Sequence, residues 1–350
     1  MLELLGAAAS AIGSIASQPW AIALAGIASA VGIFLVKHFL TRAGDDMYHW
    51  LRRKIFGRRK VESETQRELA SRETRTARER FSPFEVETPV DRYSVTEYVA
   101  RGDIASIYGG TNRSDRQVIL KVAMSTGDND LLQNEANTLR ALHQGDTVYN
   151  KHLPELLDQF RASSGEIGLV LARIRASDLR TVRESYPQGI PQQHILWILR
   201  RTLAAVGHAH SRGIIHGNID PSHILISAPD HNVFVIDWAY AVHKPAETGQ
   251  GFKAINDHFS PPEVAEKKQP LPASDLYSIG KCMIYLLGGN VQLDTMPDNV
   301  DERIQRFIKF FTRTSALQRA QDAWQMYAKA DDLREEVFGP HKFLEFKIQE

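Results

Sequence analysis

Ten residues from His216 to Leu225 read HGNIDPSHIL, and a second stretch from Val233 to Ala239 reads VFVIDWA. Four apolar residues before Asp237, two of them valines, predict a short buried strand that ends at this carboxylate. The first stretch gathers His, Asn, Asp and His side chains within eight positions, and its Pro221 is typical of a turn. Polar groups between a turn and a buried strand indicate that the two stretches are candidate functional segments.

The chain on either side changes from strand patterns to helix patterns. Short β-branched or alternating runs bounded by turn residues predict strands at 95–100, 105–108, 117–124, 155–160 and 167–174. Apolar residues spaced by three and four predict helices at 131–143, 194–211 and 274–287, with more helix within 304–327. This order predicts an α+β fold in which a small β-rich lobe, residues 91–174, precedes a larger helical lobe, residues 175–335.

Composition limits the classes of protein that need to be considered. The chain has 350 residues, 42 Lys plus Arg against 42 Asp plus Glu, and a single cysteine, Cys282. This length is enough for a sizeable core. A net charge of zero gives no whole-chain argument for a nucleic-acid partner, and one cysteine excludes an intrachain disulfide and a four-cysteine metal site. No histidines stand at ligand spacing with an acidic partner, so we expect no zinc site.

The motifs follow one another in a known order. A strand pair, a lysine-bearing strand (Val118-Ile119-Leu120-Lys121), a helix with Glu135 and then the two quoted stretches resemble the protein kinases. The resemblance covers roughly residues 91–335. It implies a bilobal protein-kinase-like fold.

The resemblance implies a nucleotide site made of Gly102, Lys121, Glu135 and Asp237. Lys121 would grip the α and β phosphates, and Glu135 would pair with it from the following helix. Asp237 would hold Mg²⁺ on the phosphates, so ATP and Mg²⁺ are the implied cofactors. Only Gly102 remains evident among the glycines of the phosphate-covering loop, and Ile119 stands where the family has a small alanine against adenine.

Four more residues match positions that stabilise the family's fold. His216 matches a packing residue of the hydrophobic spine, and Asp275 matches a buried helix carboxylate that supports the loop at 216–223. Glu263 matches the end of the activation segment, and Arg319 would pair with it.

The match fails at three positions that carry the family's chemistry. Asn218 stands at the place of the aspartate base, Asp220 at that of the lysine on the transferred phosphoryl, and His223 at that of an asparagine ligand of Mg²⁺. A neutral amide cannot act as a carboxylate base, and an aspartate repels phosphate. An imidazole suits Mg²⁺ less well than oxygen does. These three losses predict a pseudokinase or a strongly impaired kinase.

The beginning of the chain has a different character. No charged residue occurs between Leu4 and Val36, and residues 20–40 are long enough to cross about 30 Å of hydrocarbon at about 1.5 Å per residue. Residues 37–80 then carry 13 basic and 7 acidic side chains. This pattern predicts an uncleaved, single-pass membrane protein with its kinase-like domain in the cytoplasm. Small residues four apart within the span favour self-association.

We therefore divide the chain into five parts: an apolar segment at 1–19, a transmembrane helix at 20–40, a basic juxtamembrane helix and charged linker at 41–82, the kinase-like domain at 83–335 and a tail at 336–350. The basic part is expected to contact anionic membrane lipid. A two-helix hairpin of the apolar stretches on either side of Pro19, able to form a pore, is the alternative to a single span.

Three hypotheses for the function stay open. The first is a membrane-anchored pseudokinase that binds ATP and serves as a signalling scaffold or switch for a protein partner. The second is an enzyme, either an active Ser/Thr kinase or an atypical nucleotide transferase, that uses Asp220 and Asp237. The third is a sensor domain that controls a membrane-active effector at the N-terminus.

Overall fold

A computed structural model describes residues 58–60, 64–145 and 147–348. The first half contains most of the strands: β1 (Arg58–Lys60), α1 (Glu64–Arg80), β2 (Phe84–Glu87), β3 (Arg92–Arg101), β4 (Ala105–Asn112), β5 (Gln117–Ala123), α2 (Asn129–Leu142), β6 (Leu156–Arg161) and β7 (Ile167–Ala172).

The second half is mainly helical, with short strand pairs between the helices. Its elements are β8 (Ser177–Asp178), α3 (Leu179–Glu184), α4 (Gln192–His210), β9 (Ile214–Ile215), β10 (Ile224–Ser227), β11 (Asn232–Val235), β12 (Val242–His243), α5 (Pro245–Thr248), β13 (Ala254–Asn256), α6 (Pro262–Ala265), α7 (Pro272–Leu286), α8 (Glu302–Phe311) and α9 (Ala323–Phe338). The predicted bilobal α+β kinase-like fold is confirmed for this part of the chain.

The N-lobe is one six-stranded antiparallel sheet with a helix packed on it. The strand order is β2-β3-β4-β5-β7-β6. Strand β5 alternates in the way a half-buried strand must, so Ile119 and Lys121 share one face while Val118 and Leu120 face the other. Helix α2 covers the Lys121 face with an apolar stripe, and the inward position of Glu135 on this stripe brings its carboxylate to the sheet.

The C-lobe core forms around two helices that are apolar nearly all round. Helices α4 and α7 bury most of their side chains in a single cluster that also receives α8 and α9. A helix without a polar face must be enclosed by others, which explains why these two lie at the centre of the lobe. Phe346, eight residues beyond α9, is also buried and 3% exposed.

Two strand pairs bring the quoted stretches together. Strand β9 pairs with β12, and β10 pairs with β11. The connection at 216–223 runs from β9 to β10, and the connection at 236–241 runs from β11 to β12. Because each pair joins one end of both connections, the two loops lie side by side.

Two regions differ from the sequence patterns. The charged linker expected within 41–82 contains a helix, α1, from which Arg78 Nε donates to the Tyr98 carbonyl of β3 at 3.1 Å. The helical stretch expected within 304–327 is two helices, because Arg319 lies between them with an extended backbone at φ −101°. That break carries the Arg319 side chain into the core.

The expectation of a single-pass membrane protein is corrected. Among the residues that the structure describes, no helix is both long enough and apolar enough to cross a membrane. The segments at 1–19 and 20–40 and the basic stretch that follows to residue 57 lie outside the described residues.

Candidate active site

Lys121 stands at the centre of the site and contacts two carboxylates. Its Nζ lies 2.6 Å from Oε2 of Glu135 on α2 and also contacts Oδ1 of Asp237, which follows β11. Burial favours the neutral amine, but Asp237 and Glu135 outweigh it and raise the pKa of Lys121 above its ordinary value. The sequence-predicted pair Lys121 and Glu135 therefore meets, and the same ammonium joins the two lobes.

His223 contacts the other oxygen of Asp237. Its Nε2 lies 3.2 Å from Asp237 Oδ2, and its Nδ1 lies 2.6 Å from the carbonyl oxygen of Asn218. Both neighbours of the ring are oxygen acceptors, so the ring lies between the two loops. Burial acts to raise the pKa of Asp237, but Lys121 and His223 together hold it far below its ordinary value. Asp237 keeps about 20% of its side-chain exposure and uses both oxygens within the protein.

The carboxyl of Glu135 has the opposite tendency. Burial raises its pKa, and the attraction of Lys121 acts against this effect.

The backbone at Asp237 has φ +64°, a left-handed conformation that is uncommon for a residue other than glycine. This turn directs the chain from β11 into the following loop, where it places the carboxylate opposite Lys121.

Asn218 is buried at the same loop, with 5% of its surface exposed. Its carbonyl accepts from His223, and its backbone N–H donates to His216 Nδ1 at 3.3 Å. Within the described part of the chain, its side-chain Nδ2 has no hydrogen-bond partner. A neutral amide stands at this place, and it is too weakly basic to take a proton from a substrate hydroxyl.

Asp220 does not face the cleft. Its side chain is fully buried, Ser222 N donates to its Oδ1 at 2.7 Å, and Asn256 Nδ2 donates to its Oδ2 at 3.1 Å. The guanidinium of Arg180 lies 3.9 Å from the same Oδ2. Asp220 thus caps the turn at 221–223 and fixes it to β13 and α3.

Arg180, Ser222 and Asn256 were not singled out by sequence reasoning. Arg180 Nε also donates to Ser222 Oγ at 2.8 Å, so the three groups hold the Asp220 turn from three elements. Arg180 and Asn256 lie outside the two quoted stretches, whereas Ser222 lies within the first one, between Pro221 and His223. The sequence could have indicated such partners only through a chemical argument: a buried aspartate such as Asp220 needs hydrogen-bond donors around it.

The fold-stabilising positions also assemble. Asp275 on α7 accepts from the backbone N–H groups of His216 and Gly217 at 2.8 and 2.9 Å. His216 Nε2 donates to the Ile236 carbonyl at 2.9 Å, and the ring packs edge-on against Trp238. Burial lowers the pKa of His216, which favours the neutral ring that this packing needs.

Glu263 and Arg319 form a buried pair with two hydrogen bonds. Arg319 Nη2 donates to Glu263 Oε2 at 2.8 Å and Nη1 donates to Oε1 at 3.0 Å. Ser274 Oγ donates to Oε1 of the same carboxylate at 2.9 Å. The pair anchors α6 to the segment between α8 and α9.

The part of the N-lobe that is predicted to face a nucleotide is compact. Gly102 turns the chain between β3 and β4, and its N–H donates to the Ala105 carbonyl at 2.8 Å. A side chain at this position would come within 3.2 Å of the same carbonyl. Ile119 packs against the main apolar cluster of the C-lobe. The position that the resemblance predicts to lie against adenine therefore holds a larger apolar side chain than alanine.

The residues present do not fit a magnesium site. Mg²⁺ prefers octahedral oxygen ligands, yet a nitrogen ligand, His223, occupies the second ligand position, and both oxygens of Asp237 are engaged. The described residues contain no group of three or more His, Cys, Asp or Glu side chains arranged to hold a metal ion.

Comparison with known proteins agrees with the architecture. A strand sheet carrying Lys121, paired with Glu135 and set over a helical lobe carrying Asp237, defines the two-lobed kinase class of fold. The family description of the protein kinase domain matches residues 93–337. The chain therefore belongs to the protein kinase family.

The relatives are serine/threonine kinases by name. A probable serine/threonine-protein kinase of Dictyostelium discoideum is 25% identical over 227 residues, 63% of this chain and 35% of that protein. PknB of Lactococcus lactis, a probable serine/threonine-protein kinase, is 28% identical over 58% of this chain and 32% of its own length. The serine/threonine-protein kinase PknL of Mycobacterium tuberculosis is 30% identical over 59% of this chain and 52% of its own length. The chain thus spans about a third to a half of these relatives.

Proposed function

We propose that this chain is a pseudokinase, a kinase-fold module that binds a protein partner as a signalling scaffold or switch and does not transfer a phosphoryl group. The observation that carries the proposal is the absence of a free carboxylate base at the 216–223 loop of the described chain. Asn218 offers an amide there, and Asp220 is turned into the protein. Loss of a general base typically lowers a rate by about 10²- to 10⁴-fold.

The competing hypothesis, an active enzyme that uses Asp220 as a displaced base, has no support from the geometry. A general base must come within about 2.6–3.2 Å of the proton that it takes. Asp220 is fully buried and accepts from Ser222 and Asn256. To reach a substrate it would have to abandon both donors and the turn that they stabilise.

ATP and Mg²⁺ are the general ligands of the family. In this chain Lys121 and the turn at Gly102 are the groups that would contact phosphate oxygens, and the ammonium of Lys121 would supply the positive charge. Because the site does not fit Mg²⁺, the proposal includes no step that depends on the metal.

The test is transfer of radiolabel from γ-labelled ATP by the full-length chain, to itself and to a general protein substrate, in the presence of Mg²⁺ and Mn²⁺. We expect incorporation equal to that of an Asp237→Ala variant. Parallel reactions with α-labelled ATP test for nucleotide transfer, and there too we expect no label.

The matched control is Asp298→Ala, which removes an exposed aspartate of the C-lobe. Label that appears in the wild-type protein and in Asp298→Ala but is lost in Asp237→Ala would refute the proposal. Equal background in all three proteins supports it.

A further inference from the structure

A continuous row of polar contacts crosses the cleft between the lobes. Glu135 on α2 and Lys121 on β5 lie 2.6 Å apart, Lys121 contacts Asp237, and Asp237 lies 3.2 Å from His223. His223 then reaches the Asn218 carbonyl at 2.6 Å. We call these five residues the lobe bridge. Two of its members belong to the N-lobe and three to the C-lobe.

The lobe bridge supplies hydrogen-bond donors to the Asp237 carboxylate, which would otherwise need a cation. A buried carboxylate costs several kcal/mol unless it is paired. Asp237 has Lys121 on one oxygen and a ring nitrogen of His223 on the other. His223 is held in this position from its far side, because Nδ1 is bound to the backbone of Asn218. The ring is therefore a fixed donor and has little freedom to make room for a metal.

We propose that His223 is a built-in substitute for the divalent cation at Asp237, so that the lobes stay joined through the lobe bridge without metal or nucleotide. This inference deepens the proposed function, because it states how a non-catalytic module keeps its site closed in the absence of a ligand. Replacement of His223 by the family's asparagine exchanges the ring for a shorter side chain, whose amide oxygen is a ligand that Mg²⁺ accepts. The site should then require the metal.

The experiment compares thermal unfolding of the full-length wild-type chain, His223→Asn and His223→Ala in EDTA, in MgCl₂ and in MgCl₂ with ATP. For the wild type we expect the same Tm in all three solutions. Both variants should lose about 5 °C in EDTA, because the ring that reaches Asp237 Oδ2 and the Asn218 carbonyl at the same time is gone. Mg²⁺ with ATP should restore at least half of this loss in His223→Asn and none in His223→Ala. His341→Asn, at an exposed histidine, is the matched control and should behave as the wild type does.

A second measurement needs no variant. Free Mn²⁺ in solution, followed by its paramagnetic resonance signal, should stay unbound when the wild-type chain is added. Binding of Mn²⁺ to the wild type, a rise of its Tm with Mg²⁺ and ATP as large as that of His223→Asn, or a His223→Asn variant that matches the wild type in EDTA would each overturn the inference. Radiolabel transfer decides the proposed function separately, since a metal-dependent site without transfer contradicts only the inference about His223.

Discussion

Two polar regions of the molecule bury charged side chains, and they differ in the parts of the fold that the charges connect. In the first region, which we call the anchor, Asp275 accepts two backbone N–H groups and Glu263 pairs with Arg319. These contacts connect helices and loops. In the second region, the lobe bridge, Asp237 pairs with Lys121 through one oxygen and with His223 through the other.

The anchor stabilises the kinase fold, whereas the lobe bridge occupies the place of the family's chemistry. Every anchor contact needs only an opposite charge or a backbone donor, so none of these contacts depends on the side chains at 218, 220 and 223. The lobe bridge meets the same electrostatic requirement with groups that close the site, and the side-chain nitrogen of its member Asn218 lacks a hydrogen-bond partner among the described residues. Changes in the anchor should therefore alter stability alone, whereas changes in the lobe bridge should also alter the response to ligands.

The largest effect is expected in the anchor. Arg319→Met leaves the carboxylate of Glu263 buried without its guanidinium, so we expect a loss of about 3–5 kcal/mol in the free energy of unfolding. Urea unfolding of the full-length chain measures it. The control is Arg306→Gln, which removes an exposed partner of Glu302 at 3.6 Å and should leave the midpoint unchanged. A loss below about 1 kcal/mol for Arg319→Met would show that the anchor is not needed for stability.

Acid should destabilise the fold through His152, a buried histidine outside the cleft. Burial lowers its pKa from 6.5 to about 4, while its Nδ1 lies 3.0 Å from the Val233 carbonyl. The unfolded chain takes up a proton below pH 6.5 and the folded chain only near pH 4, so stability present above pH 6.5 is lost as the pH falls toward 4. The full effect is about 3 kcal/mol.

The measurement is the urea midpoint as a function of pH for the wild type and His152→Gln, whose amide can still donate to Val233. The variant should show a flatter decline between pH 6.5 and 4. Some decline should remain, because burial also lowers the pKa of other histidines: His194, His208, His216, His231 and His243. Identical curves would mean that His152 stays neutral in both states or charged in both.

The variant Asp220→Asn tests whether this carboxylate affects stability alone, as the anchor contacts do, or also the response to ligands, as the lobe bridge does. The new amide would face the Asn256 amide, donor against donor, and would lose the attraction of Arg180. We expect a loss of about 1–3 kcal/mol in the free energy of unfolding, without any effect of Mg²⁺ and ATP on the loss. Asp230→Asn, at an exposed aspartate, is the control. A fully stable Asp220→Asn protein would contradict a structural role.

The smallest effect is expected at Trp238, which follows Asp237 and packs on His216. Trp238→Phe keeps an aromatic ring but removes the indole Nε1–H, which donates to the Val235 carbonyl at 2.9 Å. We expect a loss of about 1 kcal/mol, seen as a lower urea midpoint. An unchanged midpoint would indicate that water or another donor replaces the indole N–H.

The sequence was sufficient for features that depend on local pattern. Alternation in β5 and the stripe on α2 place Lys121 opposite Glu135, and the β11 run places Asp237 at a strand end. The pairing of β9 with β12 brings the HGNIDPSHIL loop beside Asp237, and the order of motifs had indicated that neighbourhood. The roles of these residues in binding stay predictions.

The sequence could not show how side chains divide between partners at longer range. Asp220 lies two positions from Asn218, and the chain alone allowed it to point toward substrate. Its direction is set by Arg180 and Asn256, which are 40 and 36 residues away. In the same way, the break before α9 depends on the pairing of Arg319 with Glu263, a contact that helical periodicity does not contain.

Phe346 has a practical consequence for where the folded unit stops. Its ring lies 5.0 Å from that of His194 and 5.8 Å from those of Tyr186 and Trp197, while the Tyr186 hydroxyl donates to the Lys347 carbonyl. The family match ends at residue 337. A chain that ended there would lack the Phe346 ring, so the aromatic side chains that pack against it would be exposed to solvent. Such an exposed apolar surface favours self-association. The physical boundary of the domain thus lies at least as far as Phe346.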